Sequence, residues 1–205
     1  MDQRPDGHRA PRTERRRLTH VDRSGRPRMV DVSAKPSTAR RAIAEALVVV
    51  SPETMSLVID GGGPKGDVLG VAELAGVMGA KRTSDLIPLC HPLALTDLVV
   101  AITPDRAEGV LRVRAEAATT GPTGVEMEAM TAASIAALTV YDMVKGVERG
   151  VEIRAVRLLS KTGGKSGTWE YRVDRPADAA PPPRPRPRPG DRSAGRVTSK
   201  RKRSG

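Results

Sequence analysis

Apolar residues recur along the chain with two different periods, and each change of period marks an element. Between residues 67 and 81, Val68, Leu69, Val71, Leu74, Ala75 and Met78 return at helical intervals, and Gly66 and Asp67 suit a helix start. Residues 124–147 predict a second, longer helix rich in Ala, Met, Ile and Leu. Its small residues Ala132, Ala133, Ala136 and Ala137 would let it lie close against a sheet. Residues 98–102, 110–115 and 151–159 are short and rich in Val, Leu and Ile, with polar alternation at Arg112 and Arg114 and at Glu152 and Arg154, as half-buried strands require. Residues 42–50 end in Leu47-Val48-Val49-Val50 and predict a fourth strand, although Ala and Glu make their first half equally helix-like. The order strand, helix, strand, strand, helix, strand predicts an α+β sandwich of the split βαβ type.

Composition bounds this picture. A chain of 205 residues, 38% hydrophobic, buries one ordinary core. The expected organisation is a domain over residues 18–174 between an N-terminal tail, 1–17, and a Pro/Arg/Lys-rich tail, 175–205. Both tails have too few apolar residues to offset ordering and read as disordered. No apolar run approaches the roughly 18 residues that span a bilayer, and no signal-peptide core follows the basic N-terminus, so no membrane is expected and the expected compartment is the cytoplasm. The single cysteine, Cys90, cannot form an internal disulfide.

The net charge of +11 points to nucleic acid only if the basic residues lie on the folded part. They do not. Residues 18–174 hold 19 Lys and Arg against 19 Asp and Glu; the excess sits in residues 1–17 (6 against 3) and 175–205 (10 against 2). With no Phe and only Tyr141, Trp169 and Tyr171 as aromatics, the domain also lacks the base-stacking rings of an RNA-recognition sheet. Nucleic acid is therefore not an expected partner of the domain, beyond weak contact through the tail.

Several segments carry chemistry. Gly61, Gly63 and Gly66 satisfy G-x-G-x-x-G after a β-like Leu57-Val58-Ile59, but a dinucleotide fold next needs a parallel strand with an acidic end. The following Asp85-Leu-Ile-Pro-Leu-Cys-His-Pro92 is broken by two prolines. Lys161-Thr-Gly-Gly-Lys-Ser-Gly167 reads as a phosphate cradle in which glycine N–H groups approach an anion and two lysines neutralise it. It is not a Walker A loop, because Leu159 stands where the first glycine belongs. Its structural alternative is a basic exit loop. Glu126 and Glu128 open the second helix, where the dipole favours carboxylates. Asp142 and Lys145, three apart near its other end, suit a surface ion pair. His91 lies on a rigid Pro88–Pro92 loop with too few soft ligands around it for zinc, and no metal site is expected.

Taken together, Met29-Val-Asp-Val-Ser33, Lys65-Gly-Asp-Val68, Ala80-Lys-Arg-Thr83, residues 85–92, Gly124-Val-Glu-Met-Glu128, Tyr141-Asp-Met143 and Lys161 to Gly167 resemble the molybdenum cofactor biosynthesis protein C family. The likeness runs from about Leu18 to about Trp169. Departures at Ser84, Pro122 and Gly61 to Pro64 concern loop shape. The resemblance implies a ferredoxin-like βαββαβ fold, an antiparallel sheet with its helices on one face. It implies a lyase that converts a 3′,8-cyclised dihydroguanosine triphosphate to cyclic pyranopterin monophosphate and pyrophosphate. It also implies a homohexamer, a trimer of dimers, with sites at subunit interfaces.

The residues matching the family's functional positions are Lys65, His91, Glu126, Glu128, Asp142, Lys145 and Lys161, with Leu89, Cys90 and Met127 lining the substrate. Opening a purine and closing a pterin and a cyclic phosphate needs proton transfers and a departing polyanion, hence acid/base groups and cations together. The expected proton-transfer set is Asp142, Lys145 and Lys65, and the expected triphosphate clamp is Lys161, Lys165 and Arg82. No cofactor is required, and Mg2+ is compatible with the triphosphate. Lys65→Ala and Asp142→Ala are the inactive pair to mix if sites are shared. A binding module and a dinucleotide-dependent oxidoreductase are the competing classes, and the missing aromatics and the proline-broken segment argue against them.

Overall fold

The computed structural model describes residues 24–61 and 65–172. The chain divides into Met1–Tyr171 and Arg172–Gly205, and every described strand and helix lies in the first unit. The expected tails, 1–17 and 175–205, lie outside the described residues.

Five strands form one antiparallel sheet in the order β2-β3-β1-β4-β5. They are β1 (Thr38–Val49), β2 (Asp97–Asp105), β3 (Val110–Gly121), β4 (Glu152–Thr162) and the short β5 (Trp169–Glu170). Helices α1 (Pro52–Ile59), α2 (Val68–Lys81) and α3 (Thr83–Leu86) lie between β1 and β2, and α4 (Glu126–Val144) joins β3 to β4. Leaving aside α1, α3 and β5, the chain runs βαββαβ, and placing β3 between β1 and β2 makes it the split βαβ sandwich expected from the sequence.

The ambiguous Ala-rich segment is the central strand. Ala42, Ala44, Ala46 and Val48 are all buried beneath the helices, while Arg41, Ile43, Glu45 and Leu47 alternate onto the other face. A period of two satisfied by both neighbours, β3 and β4, overrides the helix preference of Ala. On the open face the buried Glu45 accepts from Arg157 Nε at 2.6 Å and from Arg112 Nη1 at 3.2 Å, and the Arg157 guanidinium lies 4.9 Å from the Tyr171 ring centre.

One expectation is corrected. Leu57-Val58-Ile59 is the last turn of α1, not a strand. Ser51 accepts from the Thr54 N–H, Pro52 stands in the first turn, and Met55 and Val58 bury at a spacing of three. A three-residue apolar run carries no period of its own, and the cap decides. The helix also removes the strand that a dinucleotide fingerprint requires before its glycines.

α4 packs against β1, β3 and β4, and α2 against α4 and β2. Ala129, Ala132, Ala133, Ala136 and Ala137 are fully buried. Gly76 and Gly79 let α2 approach α4 closely: a Cβ on Gly79 would stand 2.7 Å from Ile135 Cγ1, and one on Gly76 would stand 3.0 Å from the Ala132 carbonyl. This contact fixes α4 as the rod on which the functional residues are spaced.

Candidate active site

Chemistry-bearing residues gather at both ends of α4. At its N-terminal end a cavity of about 440 Å3 is lined by Leu89, Cys90, His91, Glu126, Met127 and Glu128, together with Val30, Val32 and Lys35. The loop carrying Cys90 and His91 is tied at both ends. The Cys90 N–H donates to the Ile87 carbonyl, and beyond Pro92 the Thr119 hydroxyl donates to the Ala94 carbonyl at 2.6 Å. Glu126 and Glu128, which a regular helix would point to different sides, both reach the cavity because Glu126 folds back over Gly124, where a Cβ on that glycine would otherwise sit.

Glu128 is 4% exposed, and its Oε2 has no hydrogen-bond partner. Burial raises its pKa, with a smaller contribution in the same direction from Glu126. Burial also raises the Cys90 thiol, helped by the Glu128 charge, so the cysteine is held as a thiol in the cavity wall rather than as a nucleophile. A carboxyl whose ionisation burial disfavours, in one cavity with a histidine, is suited to holding and delivering a proton.

A second cavity, of about 850 Å3, shares Lys35, Thr123 and Gly124 with the first and adds Pro36, Thr38, Arg40, Pro122, Gly164, Lys165 and Ser166. Its floor is pinned by Arg40, whose Nε and Nη2 donate to the Gly121 and Pro122 carbonyls at 2.8 and 3.0 Å. Gly163 and Gly164 both have positive φ, and a Cβ at Gly163 would strike the Ala39 carbonyl; only glycine lets this loop close over β1. Lys161, on β4, donates to the Ser166 hydroxyl and so braces the loop from beneath. Basic side chains and glycine backbone around an open recess suit an anion.

The third group lies at the other end of the helix. Lys65 donates to Asp142 Oδ2 at 2.6 Å and to the Asp142 carbonyl at 3.0 Å, and Lys145 meets Oδ1 at 2.7 Å. All three side chains are about half exposed. Hydrogen bonds from Lys145 and then Lys65 lower the Asp142 pKa to about 2, and Asp142 in turn raises that of Lys145. Asp142 stands sixteen residues after Glu126 on α4, which at 1.5 Å per residue is roughly 24 Å. The structure thus brings Leu89, Cys90, His91, Glu126, Met127 and Glu128 together, sets Lys165 and the Lys161 brace next to them, and holds Lys65, Asp142 and Lys145 apart. Arg82, exposed at the C-cap of α2, is among the lining residues of neither cavity. Among the described residues no group of three or more His, Cys, Asp and Glu side chains is placed to hold a metal ion, and no helix is long and apolar enough to cross a membrane.

Sequence reasoning passed over Lys35, Thr38 and Arg40. They follow the Met29–Ser33 segment but repeat with no period and form no motif, so only their tertiary placement exposes them.

The MoaC family model matches residues 29–164, which contain the first cavity, the second apart from Lys165 and Ser166, and the Lys65–Asp142–Lys145 group. The chain is 61% identical over 153 residues to the cyclic pyranopterin monophosphate synthase of Cereibacter sphaeroides (strain KD131 / KCTC 12085), covering 75% of this chain and 96% of that protein. It is 57% identical over 153 residues to the synthase of the same name from Brucella ovis, covering 75% and 93%.

Proposed function

The chain belongs to the MoaC family and is an enzyme of molybdenum cofactor biosynthesis, with the cyclic pyranopterin monophosphate synthase activity of its relatives; we propose how its residues divide that reaction. The substrate is a cyclised derivative of guanosine triphosphate, which we take to be (8S)-3′,8-cyclo-7,8-dihydroguanosine 5′-triphosphate, and the products are cyclic pyranopterin monophosphate and pyrophosphate. The observation that carries the reading is the joining of a carboxyl-, thiol- and imidazole-lined recess to a basic one. The first takes the base and the second takes the phosphates.

In the first recess, Leu89, Cys90 and Met127 face the ring, and His91, Glu126 and Glu128 exchange protons with its nitrogens and with the sugar-derived carbons. In the second, Lys165 and the loop braced by Lys161 hold the triphosphate. Any Mg2+ would arrive with those phosphates. Asp142, with a pKa of about 2, is a poor base near neutrality, so its part is to hold the ammonium groups of Lys65 and Lys145, which do the proton transfer.

We further propose that Lys65, Asp142 and Lys145 act in the cavity of a second copy. Two half-sites roughly 24 Å apart on one rod cannot serve one substrate within a chain. Between them Val71, Leu74 and Met78 on α2 and Leu138 on α4 are 43 to 62% exposed. A twofold axis through this apolar surface would lay each chain's Asp142 end against its partner's Glu126 end and complete two sites at once. This is the dimer within the homohexamer that the family resemblance implies. The test is to supply the cyclised guanosine triphosphate substrate and measure pyrophosphate and pterin together, with mass measured in solution. A fully active monomer would remove the shared-site arrangement; absence of both products would remove the assigned substrate.

A further inference from the structure

Lys35 stands where the two recesses meet. It lines the cavity of Cys90, His91, Glu126 and Glu128 and also that of Arg40 and Lys165, and it is the only Lys or Arg among the residues lining the first. Its backbone is held: the Lys35 N–H donates to the Val32 carbonyl at 3.0 Å, closing a turn ahead of Pro36. Its ammonium is not. Among the described residues it has no hydrogen-bond or ion-pair partner, whereas Arg40 is engaged with two carbonyls and Lys161 with Ser166. Two residues from Pro36, the Thr38 hydroxyl oxygen lines the basic recess, buried and without a partner.

We propose that Lys35 is a catalytic residue of the ring-closing step: its ammonium contacts the nonbridging oxygens of the α-phosphoryl group, with the Thr38 hydroxyl donating from the basic side. This rests on the substrate reading above. If the base lies in one recess and the terminal phosphates in the other, the α-phosphorus lies at their junction. A hydroxyl of the sugar-derived part attacks it and forms the new P–O bond. The bond from the α-phosphorus to the bridging oxygen breaks, and its electron pair leaves with pyrophosphate. The hydroxyl proton passes to a carboxylate of the first recess. Charge shifts among the phosphoryl oxygens during that displacement, so a cation reaching the junction from a held backbone gains most in the transition state. Lys165, on the loop at the far side, holds charge that is already present in the substrate and contributes mainly to binding.

The test is pyrophosphate release from the cyclised guanosine triphosphate substrate and from its two α-phosphorothioate diastereomers. For Lys35→Ala we expect kcat to fall on the order of 100-fold with KM changed less than about threefold, and for Lys165→Ala the reverse emphasis. The parent should favour one diastereomer, Lys35→Ala should lose that preference, and Lys35→Arg should recover part of both rate and preference. Purely structural damage would not move the diastereomer ratio. Lys35→Gln, judged beside Lys35→Arg, serves the same reading should the alanine variant fold poorly. An active parent whose Lys35 variants keep both rate and preference overturns this assignment, whereas a parent that releases no pyrophosphate overturns the substrate reading beneath it.

Discussion

The two ends of α4 treat carboxylates in opposite ways. At the N-terminal end Glu128 is buried, lacks a partner for one oxygen and has its pKa raised by burial. At the C-terminal end Asp142 is half exposed, is held by two lysines and has its pKa lowered to about 2. Burial at one end disfavours ionisation; two lysines at the other favour it. A buried acid without a partner is costly in a folded chain unless a ligand uses it. An exposed cluster of two ammonium groups on one carboxylate leaves a net positive charge at the surface, as an anion requires. The difference teaches that the helix is a spacer between unlike groups, which the proposed shared site treats as two halves of one catalyst.

The largest expected effects come from removing either half. Glu128→Gln and Lys65→Ala should each lower turnover on the order of 100-fold or more, the usual worth of a general acid–base group. Equal losses from residues roughly 24 Å apart along one rod are what one shared site predicts. If one variant keeps near-parent turnover, the halves do not act on the same substrate.

Mixing the two variants sharpens the comparison further. Random pairing in a twofold dimer should return about a quarter of parent activity, since half the dimers are mixed and each mixed dimer has one intact site. The pair that the sequence alone suggests, Lys65→Ala with Asp142→Ala, should restore nothing. Those two residues bond to each other within one chain at 2.6 Å and belong to the same half. Restoration in that pair but not with Glu128→Gln would overturn the assignment of the halves.

A smaller effect is expected of Asp142→Asn. If Asp142 positions the ammonium groups rather than accepting protons, turnover should fall about tenfold, and raised pH should inhibit the variant sooner because Lys145 loses the partner that raises its pKa. A pH–rate profile beside the parent reads this. An unshifted alkaline limb would return Asp142 to an ordinary helix-surface pairing.

Both the long helices and the distance between the two halves are legible in the sequence. The 3.6 period of residues 67–81 with Asp67 at its start is α2, whose N-cap Asp67 accepts from the Gly70 N–H. Reading residues 124–147 as one helix already sets Glu126 and Asp142 sixteen residues apart on it. The features that are not legible lack a period. Leu57-Val58-Ile59 is too short to show one, and the capping Ser51 six residues earlier decides for helix. The alanines of β1 suit either element until β3 and β4 flank them. Lys35 and Arg40 are brought to the recess by the chain's path before and along β1, which no local pattern encodes.

The smallest effect is on stability, and there the two ends should titrate with opposite signs. Glu128 has a folded-state pKa above its unfolded value, so the folded chain holds that proton more tightly. Its burden on the fold is absent below the ordinary glutamate range and grows as pH rises through the raised value. Asp142 has a folded-state pKa of about 2, below its unfolded value. Its favourable contribution is present above the ordinary aspartate range and is lost as pH falls toward 2. Exposure and salt screening keep the Asp142 contribution slight, whereas burial protects that of Glu128 from screening. Melting temperatures between pH 4 and pH 8 should therefore show Glu128→Gln gaining on the parent as pH rises, with added salt changing the gap little. Asp142→Asn should stay within about one or two degrees of the parent throughout. A Glu128→Gln variant whose gap from the parent is the same at pH 4 and pH 8 would mean that Glu128 ionises normally in its cavity, and the proton-keeping half of the comparison would be lost.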